Sequence, residues 1–280
     1  PMYFLAFIWL LKTKNKEGQM SEETLDPRRH IQLGSVQNLR DLGGYETVDG
    51  GITRWGVFLR SAGMSKMTAA DRQKIVDYGV GAVVDLRSGQ NIEDAPNPFA
   101  EGSDVAYHHH DFWGKRLSGF KSSNSSLTQE TKLADLYRAG FCRCQEIIRE
   151  IITTLVNEED HATIFHCGAG KDRTGIVAAL LLGLVGVPDD TIVADYALTA
   201  HYLTDAHRDH SNLDPLFVPE GQADNLDAVA LPLYFFSCLP GTMALALDFL
   251  RGQYGGVEGY IREIGLSDDQ IRRLQAKFVE

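Results

Sequence analysis

The stretch that decides the fold is residues 162–175, which read ATIFHCGAGKDRTG. Its first residues are apolar or β-branched, as in a buried strand that ends at His166. A short loop with two glycines follows, and from Thr174 to Val185 the chain is apolar on nearly every side, which is typical of a core helix. The pattern predicts a strand, a tight loop and a helix, with Cys167 in the loop beneath the helix N terminus.

A loop of this kind is suited to binding an anion. The free N–H groups and the macrodipole of a helix N terminus both favour negative charge, so we expect Cys167 to be a thiolate and a nucleophile. Arg173, six residues later, can form a forked contact with two phosphate oxygens. The hydroxyl of Thr174 can donate to the sulfur when it becomes a leaving group. These residues predict a phosphate-monoester hydrolase that forms a cysteinyl-phosphate intermediate.

The other loop residues are expected to surround the phosphate with backbone N–H groups. Glycines let successive N–H groups turn inward as an anion-binding nest. We expect His166 to fix the loop by hydrogen bonds rather than to act as a base. A nucleotide-binding P-loop is excluded, because that motif needs glycine at position 165 and Ser or Thr at 172, where the chain has Phe165 and Asp172. The predicted phosphate-binding residues are Gly168, Ala169, Gly170, Lys171, Thr174 and Gly175.

Further out, strand and helix patterns alternate. Residues 57–59, 82–86 and 105–108 have strand character, and helices are predicted from Thr68, over 133–155, from Pro188 to 203, over 241–254 and after Ser267. This order predicts an α/β fold with a sheet covered by helices. We expect one phosphatase domain over residues 20–280, with residues 205–236 either a lid or a peripheral helical insertion, and residues 1–19 an upstream or flexible segment.

Composition narrows the choice of partners. The chain has 280 residues and a net charge of −11, which argues against broad contact with nucleic acid. Its four cysteines form neither a disulfide framework nor two CxxC pairs for zinc. A reactive thiol favours a location in the reducing cytoplasm, and secretion without a standard signal is the alternative. The run from His108 to His110 suggests a metal site, but no second ligand cluster is evident. We predict neither a metal nor another cofactor.

Several blocks of the chain resemble the bacterial tyrosine phosphatase family typified by the mycobacterial phosphatase B and the Listeria lipid phosphatase. The loop at 166–175 matches the family's His-Cys-x-Ala-Gly-Lys-Asp-Arg-Thr-Gly pattern in full. Similar blocks occur at residues 38–44, 59–61, 85–88, 193–196 and 259–262, so the resemblance covers about residues 33–278. It implies a central, mostly parallel sheet flanked by helices, and activity on phosphotyrosine, sometimes phosphoserine or phosphothreonine, and phosphoinositides.

The resemblance also bears on the proton donor and on Lys171. The family takes its general acid from a loop after the strand that follows the Asp-Leu-Arg-Ser block, which here implies Asp111. Asp172 is the alternative, because it already lies in the loop. Lys171 adds a cation beside the phosphate and could favour inositol lipids, and Asp172 could orient Lys171 or Arg173.

Three residues outside the loop have predicted supporting roles. We expect Arg40 and Asp41 to form a structural ion pair near the wall of the site. Arg87 follows a strand end and is expected to support a neighbouring loop.

Three functions remain open from the sequence. The leading one is a protein-tyrosine phosphatase, with possible dual specificity or a main activity on phosphoinositides, for which membrane contact would be at most peripheral. A phosphate-binding module with little turnover is the second, and a cysteine-dependent sulfur transferase is the third. Arg173 fits a phosphate better than a sulfur donor, which favours the first. Oligomeric state is not predicted.

Overall fold

The computed structural model describes residues 26–101, 105–117, 120, 128–158, 161–203 and 238–280. Within these residues five strands form one sheet: β1 Arg40–Asp41, β2 Phe58–Ser61, β3 Val80–Asp85, β4 Ala106–His109 and β5 Ala162–His166. The strand order is β1-β2-β5-β3-β4, and only β1 runs antiparallel to its neighbour. The predicted α/β fold with a mostly parallel central sheet is therefore confirmed.

The helices of the described residues follow or precede these strands. The first, α1, begins as predicted at Thr68, whose side chain accepts a hydrogen bond from the Asp71 N–H. The last begins with the predicted capping box at Ser267. The helical run predicted over 133–155 is divided at Cys144 into two helices. Their bounds are α1 Ala69–Asp77, α2 Gly89–Asp94, α3 Gln129–Arg143, α4 Gln145–Asn157, α5 Asp172–Leu184, α6 Asp189–Tyr202, α7 Pro240–Tyr254, α8 Val257–Glu263 and α9 Asp268–Phe278.

The central strands are buried on both faces. Successive side chains of a strand point to opposite faces, and here they enter two separate apolar clusters. Val83 and Ile164 belong to one cluster with Ile75 of α1, whereas Val84 and Phe165 belong to a larger cluster with α4, α5 and α7. Burial on both faces explains why these strands are continuous apolar runs rather than alternating ones.

Parallel pairing brings the carboxyl ends of the strands to one edge of the sheet. Asp85 at the end of β3 is in register with His166 of β5 and with His109 of β4. The residues that follow these strand ends, among them Cys167, Arg87 and Asp111, therefore lie along the same edge. Ligands of open α/β sheets commonly bind at this edge.

Two predictions fall on parts of the chain outside the described residues. These are the upstream or flexible segment at 1–19 and the lid or peripheral helical insertion at 205–236. Across the residues that are described, we find no helix of the length and apolarity that a membrane crossing requires.

Candidate active site

Cys167 lies in the loop between β5 and α5. The strand ends at His166 and the helix begins at Asp172, with Lys171 as its N-cap residue. The Cys167 side chain is buried, with 2% of its surface exposed. Because α5 begins five residues after the cysteine, the loop is short and its N–H groups lie close to the positive end of the helix dipole.

The first carbonyl groups of the loop are bound from outside. The Nδ1 of the His166 ring lies 3.1 Å from the Cys167 carbonyl oxygen. The Gly63 N–H donates to the Gly168 carbonyl oxygen at 2.7 Å. In a trans peptide the carbonyl and the following N–H point in opposite directions. The next N–H groups, those of Gly168 and Ala169, therefore point away from these partners.

The next two carbonyl groups are bound by side chains from the β1 and β2 region. Asn38 Nδ2 donates to the carbonyl oxygens of Ala169 and Gly170, each at 3.1 Å. Arg60 Nη2 donates to the Gly170 oxygen at 2.9 Å. Four successive carbonyl groups, from Cys167 to Gly170, are thus bound by groups outside the loop, and each N–H group that follows one of them points away from the partner of that carbonyl. This is the arrangement of an anion nest.

Gly170 is required by the shape of the loop. Its φ is +66°, a left-handed value that side chains disfavour. A Cβ at this position would lie 2.3 Å from the Ser61 carbonyl oxygen, which belongs to β2. The loop therefore lies directly against the end of β2, and any side chain at 170 would separate them.

Arg173 and Thr174 occupy the first turn of α5. Arg173 Nη1 donates to the Leu86 carbonyl oxygen at 3.2 Å, which holds the guanidinium at the end of β3. Thr174 is fully buried, and its hydroxyl has no hydrogen-bond partner among the described residues. Buried hydroxyls are normally paired, so an unpaired one in this turn is expected to serve a ligand or a reacting atom.

Asp195 of α6 compensates the charge of two buried arginines beneath the loop. Its Oδ1 is 3.0 Å from Arg40 Nε and its Oδ2 is 2.5 Å from Arg60 Nη1. Burial alone would raise the pKa of Asp195, but the two guanidinium charges outweigh it and hold that pKa far below its ordinary value. Arg60 also binds the loop and Arg40 binds Asn38, so this cluster supports the phosphate loop.

The predicted ion pair between Arg40 and Asp41 is wrong. Arg40 pairs with Asp195, whereas the Asp41 carboxylate accepts hydrogen bonds from the N–H groups of Gly43 and Gly56 and from the Tyr78 hydroxyl. Consecutive residues of a strand point to opposite faces, which separates the two side chains. Arg40 therefore supports the loop, and Asp41 organises a turn at the other face.

Arg87 and His166 are joined through Asp85. Arg87 forms a forked pair with Asp85, at 2.7 Å for the shortest contact, and donates to the Ala95 carbonyl oxygen at 2.8 Å, which ties it to the residue that follows α2. His166 Nε2 lies 2.8 Å from the amide nitrogen of Asn97, closer than the 3.4 Å to Asp85. The other ring nitrogen, Nδ1, faces the Cys167 carbonyl oxygen, so His166 links Asp85 and Asn97 to the Cys167 loop.

Asp172 is held by two neighbours through one of its oxygens. The Tyr137 hydroxyl donates to Asp172 Oδ1 at 2.8 Å, and Lys171 Nζ lies 3.5 Å from the same oxygen. Lys171 itself is 1% exposed. Of the two residues that Asp172 was expected to orient, Lys171 or Arg173, this contact is with Lys171.

Asp111 lies on the same sheet edge but farther along it. It follows β4, two strands from β5, so its backbone is about 10 Å across the sheet from the nucleophile loop. Its Oδ1 accepts a hydrogen bond from the Gly114 N–H at 2.9 Å. The carboxylate therefore closes its own turn.

The three histidines before Asp111 lie beside different groups. His108 Nε2 lies 2.6 Å from Glu158 Oε1, His109 Nε2 is 2.9 Å from the Arg87 carbonyl oxygen, and His110 Nε2 is 3.0 Å from the Thr154 hydroxyl. In the described part of the chain, no three His, Cys, Asp or Glu side chains are grouped so that they could hold a metal ion.

Sequence reasoning missed Asn38, Arg60, Asp195 and Tyr137 as parts of the site. The first three lie in the blocks that carry the family resemblance, which was the available signal. Tyr137 lies in the predicted helix outside those blocks, and nothing local distinguishes it from a core tyrosine. Its role is visible only because α3 and α5 pack together.

Comparison with known proteins gives a consistent result. A model of the tyrosine phosphatase family matches residues 31–280. A tyrosine-protein phosphatase of Nostoc commune is 31% identical over 226 residues, which cover 79% of this chain and 73% of the relative. The triple specificity protein phosphatase PtpB of Mycobacterium tuberculosis is 27% identical over 281 residues, covering 87% of this chain and 97% of the relative. The predicted resemblance and the predicted phosphatase class are confirmed, and the chain belongs to the tyrosine phosphatase family.

Proposed function

We propose that this phosphatase hydrolyses phosphotyrosine through a cysteinyl-phosphate formed on Cys167. The observation that carries the proposal is the anchoring of four successive loop carbonyls by groups outside the loop, which leaves the following N–H groups pointing away from those partners. Preorganised donors of this kind stabilise the charge of a transferring phosphoryl group without reorganisation. A loop with only a packing role would not require four successive carbonyl groups to be anchored in this way.

In the first step the Cys167 thiolate attacks phosphorus. A sulfur–phosphorus bond forms and the bond from phosphorus to the tyrosyl oxygen breaks. The loop N–H groups and the Arg173 guanidinium hold the non-bridging oxygens, which carry the charge throughout. The leaving oxygen receives a proton from a carboxylic acid of the site, which prevents release of an unstable phenolate.

In the second step water attacks the cysteinyl-phosphate. The same carboxylate removes the proton of the water, an oxygen–phosphorus bond forms, and the sulfur leaves as a thiolate. The unpaired Thr174 hydroxyl, in the first turn above the loop, donates to this sulfur as its charge develops. Inorganic phosphate is the product, and Cys167 returns to its starting state.

We assign the proton donor to Asp172 rather than to Asp111. Asp172 begins α5 directly after the Cys167 loop, and its two contacts within the described residues, with Tyr137 and Lys171, are both on Oδ1 rather than Oδ2. Asp111 is about two strand spacings away and closes its own turn.

The proton donor is tested with two variants and two substrates. We expect Asp172→Asn to lower kcat for phenyl phosphate by about 100-fold or more, and to lower it much less for 2,4-dinitrophenyl phosphate, whose leaving group needs no proton. Asp111→Asn, the control, should affect both substrates equally. The reverse pattern would reassign the acid to Asp111.

The substrate range includes phosphotyrosine first and other phosphate esters second. A relative is called a triple specificity phosphatase, which supports a broad range. Lys171 is almost fully buried beside Asp172, so it contributes charge to the reacting phosphate rather than a contact to a second, distant one. We therefore rank phosphotyrosine above phosphoinositides. Turnover of a phosphotyrosine peptide below that of every phosphoinositide in a panel would overturn this order.

The nucleophile is tested by Cys167→Ser, with Cys142→Ser as the control because Cys142 is exposed. We expect Cys167→Ser to lose all detectable hydrolysis of p-nitrophenyl phosphate and Cys142→Ser to retain it. A phosphoryl group trapped on Cys167 by rapid acid quench, detected by mass spectrometry, would support the intermediate. An intact protein that binds phosphotyrosine peptide without turnover would instead indicate a binding module.

A further inference from the structure

Two fully buried tyrosines form a hydroxyl chain that ends on Asp172. Tyr137 comes from α3 and Tyr196 from α6, and both are at most 1% exposed. The Tyr137 oxygen lies 2.8 Å from Asp172 Oδ1 and 2.9 Å from the Tyr196 oxygen. Their rings pack edge to face, with centroids 6.2 Å apart. The mechanism above treats Tyr137 only as a neighbour of Asp172 and gives no role to Tyr196.

The direction of the two hydrogen bonds follows from the carboxylate of Asp172, on which they end. An ionised carboxylate can only accept, so the Tyr137 hydroxyl donates to Asp172. The Tyr137 oxygen is then free to accept, and Tyr196 donates to it. Burial, together with the nearby Asp172, raises the pKa of Tyr137 well above its ordinary value. Tyr137 therefore keeps its proton and acts as a fixed donor rather than as a proton shuttle.

The hydrogen bond from Tyr137 determines which oxygen of Asp172 carries the reacting proton. Oδ1 accepts from Tyr137 and faces the Lys171 ammonium at 3.5 Å, so a proton there would meet two donors. Oδ2 is the oxygen on which a proton can reside and be transferred. We infer that Tyr137 is a positioning residue for the proton donor: it fixes Asp172 so that Oδ2 presents its proton to the leaving group. This inference rests on the proposed role of Asp172.

The second tyrosine links this arrangement to the loop support. Tyr196 follows Asp195 directly, and its ring packs against Gly175 of α5, where an added Cβ would lie 3.0 Å from Cδ2. Consecutive residues of α6 thus reach two parts of the site. Asp195 binds the arginines beneath Gly170, and Tyr196 binds the tyrosine that orients Asp172.

The test removes single hydroxyls and varies the leaving group. We expect Tyr137→Phe to lower kcat about tenfold for phenyl phosphate and less than about threefold for 2,4-dinitrophenyl phosphate, because only the first needs a well-placed proton. Tyr196→Phe should give the same pattern with a smaller loss. Tyr78→Phe is the matched control, since its hydroxyl also donates to a carboxylate, Asp41 at 2.7 Å, and it should affect both substrates equally.

A double variant separates positioning from general damage. If Tyr137 acts through Asp172, then Tyr137→Phe should cause no further loss once Asp172→Asn is present. Losses that multiply, or a loss from Tyr137→Phe that is equal for both leaving groups, would overturn the inference while leaving Asp172 as the acid. A loss from Asp172→Asn that is equal for both leaving groups would overturn the proposed acid, and the inference with it. If Tyr137→Phe does not fold, the same comparison is made with Tyr196→Phe, alone and combined with Asp172→Asn.

Discussion

Replacing Asp195 by Asn should destabilise the protein strongly. The change keeps the shape of the side chain but removes the charge that compensates Arg40 and Arg60, both of which have no exposed surface. Breaking a buried ion pair by removing one partner costs about 3–5 kcal/mol. In a chain of this size such a loss lowers Tm by about 10 °C. The two guanidinium groups would be left close to each other without a counter-charge.

The measurement is urea unfolding followed by tryptophan fluorescence. Asp189→Asn is the matched control, because Asp189 lies on the same helix and also pairs with an arginine, Arg251. That pair is exposed, with 42% of the Asp189 side chain accessible, so its removal from the first helical turn should cost about 1 kcal/mol. Equal losses for the two variants would refute the assignment of Asp195 as the compensating charge of a buried cluster.

The same carboxylate should make stability depend on pH in the acid range. The arginine charges lower the pKa of Asp195 in the folded protein, whereas the unfolded chain has a value of about 3.9. The stabilisation is therefore present above pH 4 and is lost as pH falls toward the folded pKa. Over that range Asp195 contributes up to about 1.4 kcal/mol per pH unit. Asp195→Asn should show a shallower dependence between pH 4 and 2, and identical slopes would contradict the reasoning.

Three further predictions concern the phosphate loop. Gly170→Ala should lower kcat/KM by about 100-fold or more, because its Cβ would meet the Ser61 carbonyl at 2.3 Å, whereas Gly252→Ala, with nothing within 4 Å, should leave steady-state kinetics unchanged. Arg173→Lys should lose about 100-fold in kcat/KM for p-nitrophenyl phosphate, and a loss below threefold would argue against a forked contact. Thr174→Val should slow hydrolysis of the cysteinyl-phosphate, so that a burst of p-nitrophenol precedes a slower steady state. Thr174→Ser keeps the hydroxyl and should show wild-type kinetics. A Thr174→Val variant without a burst would exclude donation from Thr174 to the sulfur.

The local elements of the fold could be predicted because each depends on neighbouring residues. β5 is a short apolar run, α5 is apolar around its circumference, and Thr68 and Ser267 each cap an N–H group three residues away. The strand, loop and helix around Cys167 could be predicted for the same reason. The turn, the glycine and the helix start are all encoded within a few residues.

The supports of the loop could not be predicted in the same way. Asn38 contacts residues more than 130 positions away, and Arg40 is separated from Asp195 by 155 positions. These contacts exist only after β1, β5 and α6 have packed, and no local pattern states which polar groups will meet. The incorrect pairing of Arg40 with Asp41 shows the difficulty, since adjacent opposite charges in a strand are held on opposite faces.

The packing of α6 connects the proposed phosphate loop with the proposed proton donor. The chain as a whole carries a net charge of −11, so the attraction for an anionic substrate has to come from the few cations held at the loop. Asp195 orients two of them, and Tyr196, one position later, reaches Asp172 through Tyr137. Because the two side chains diverge from one turn of one helix, a shift of α6 would disturb both functions together. A substitution of Gly170 changes the loop, and a substitution of Tyr137 changes the contact with Asp172. We therefore expect the first to weaken phosphate binding and the second to weaken protonation of the leaving group.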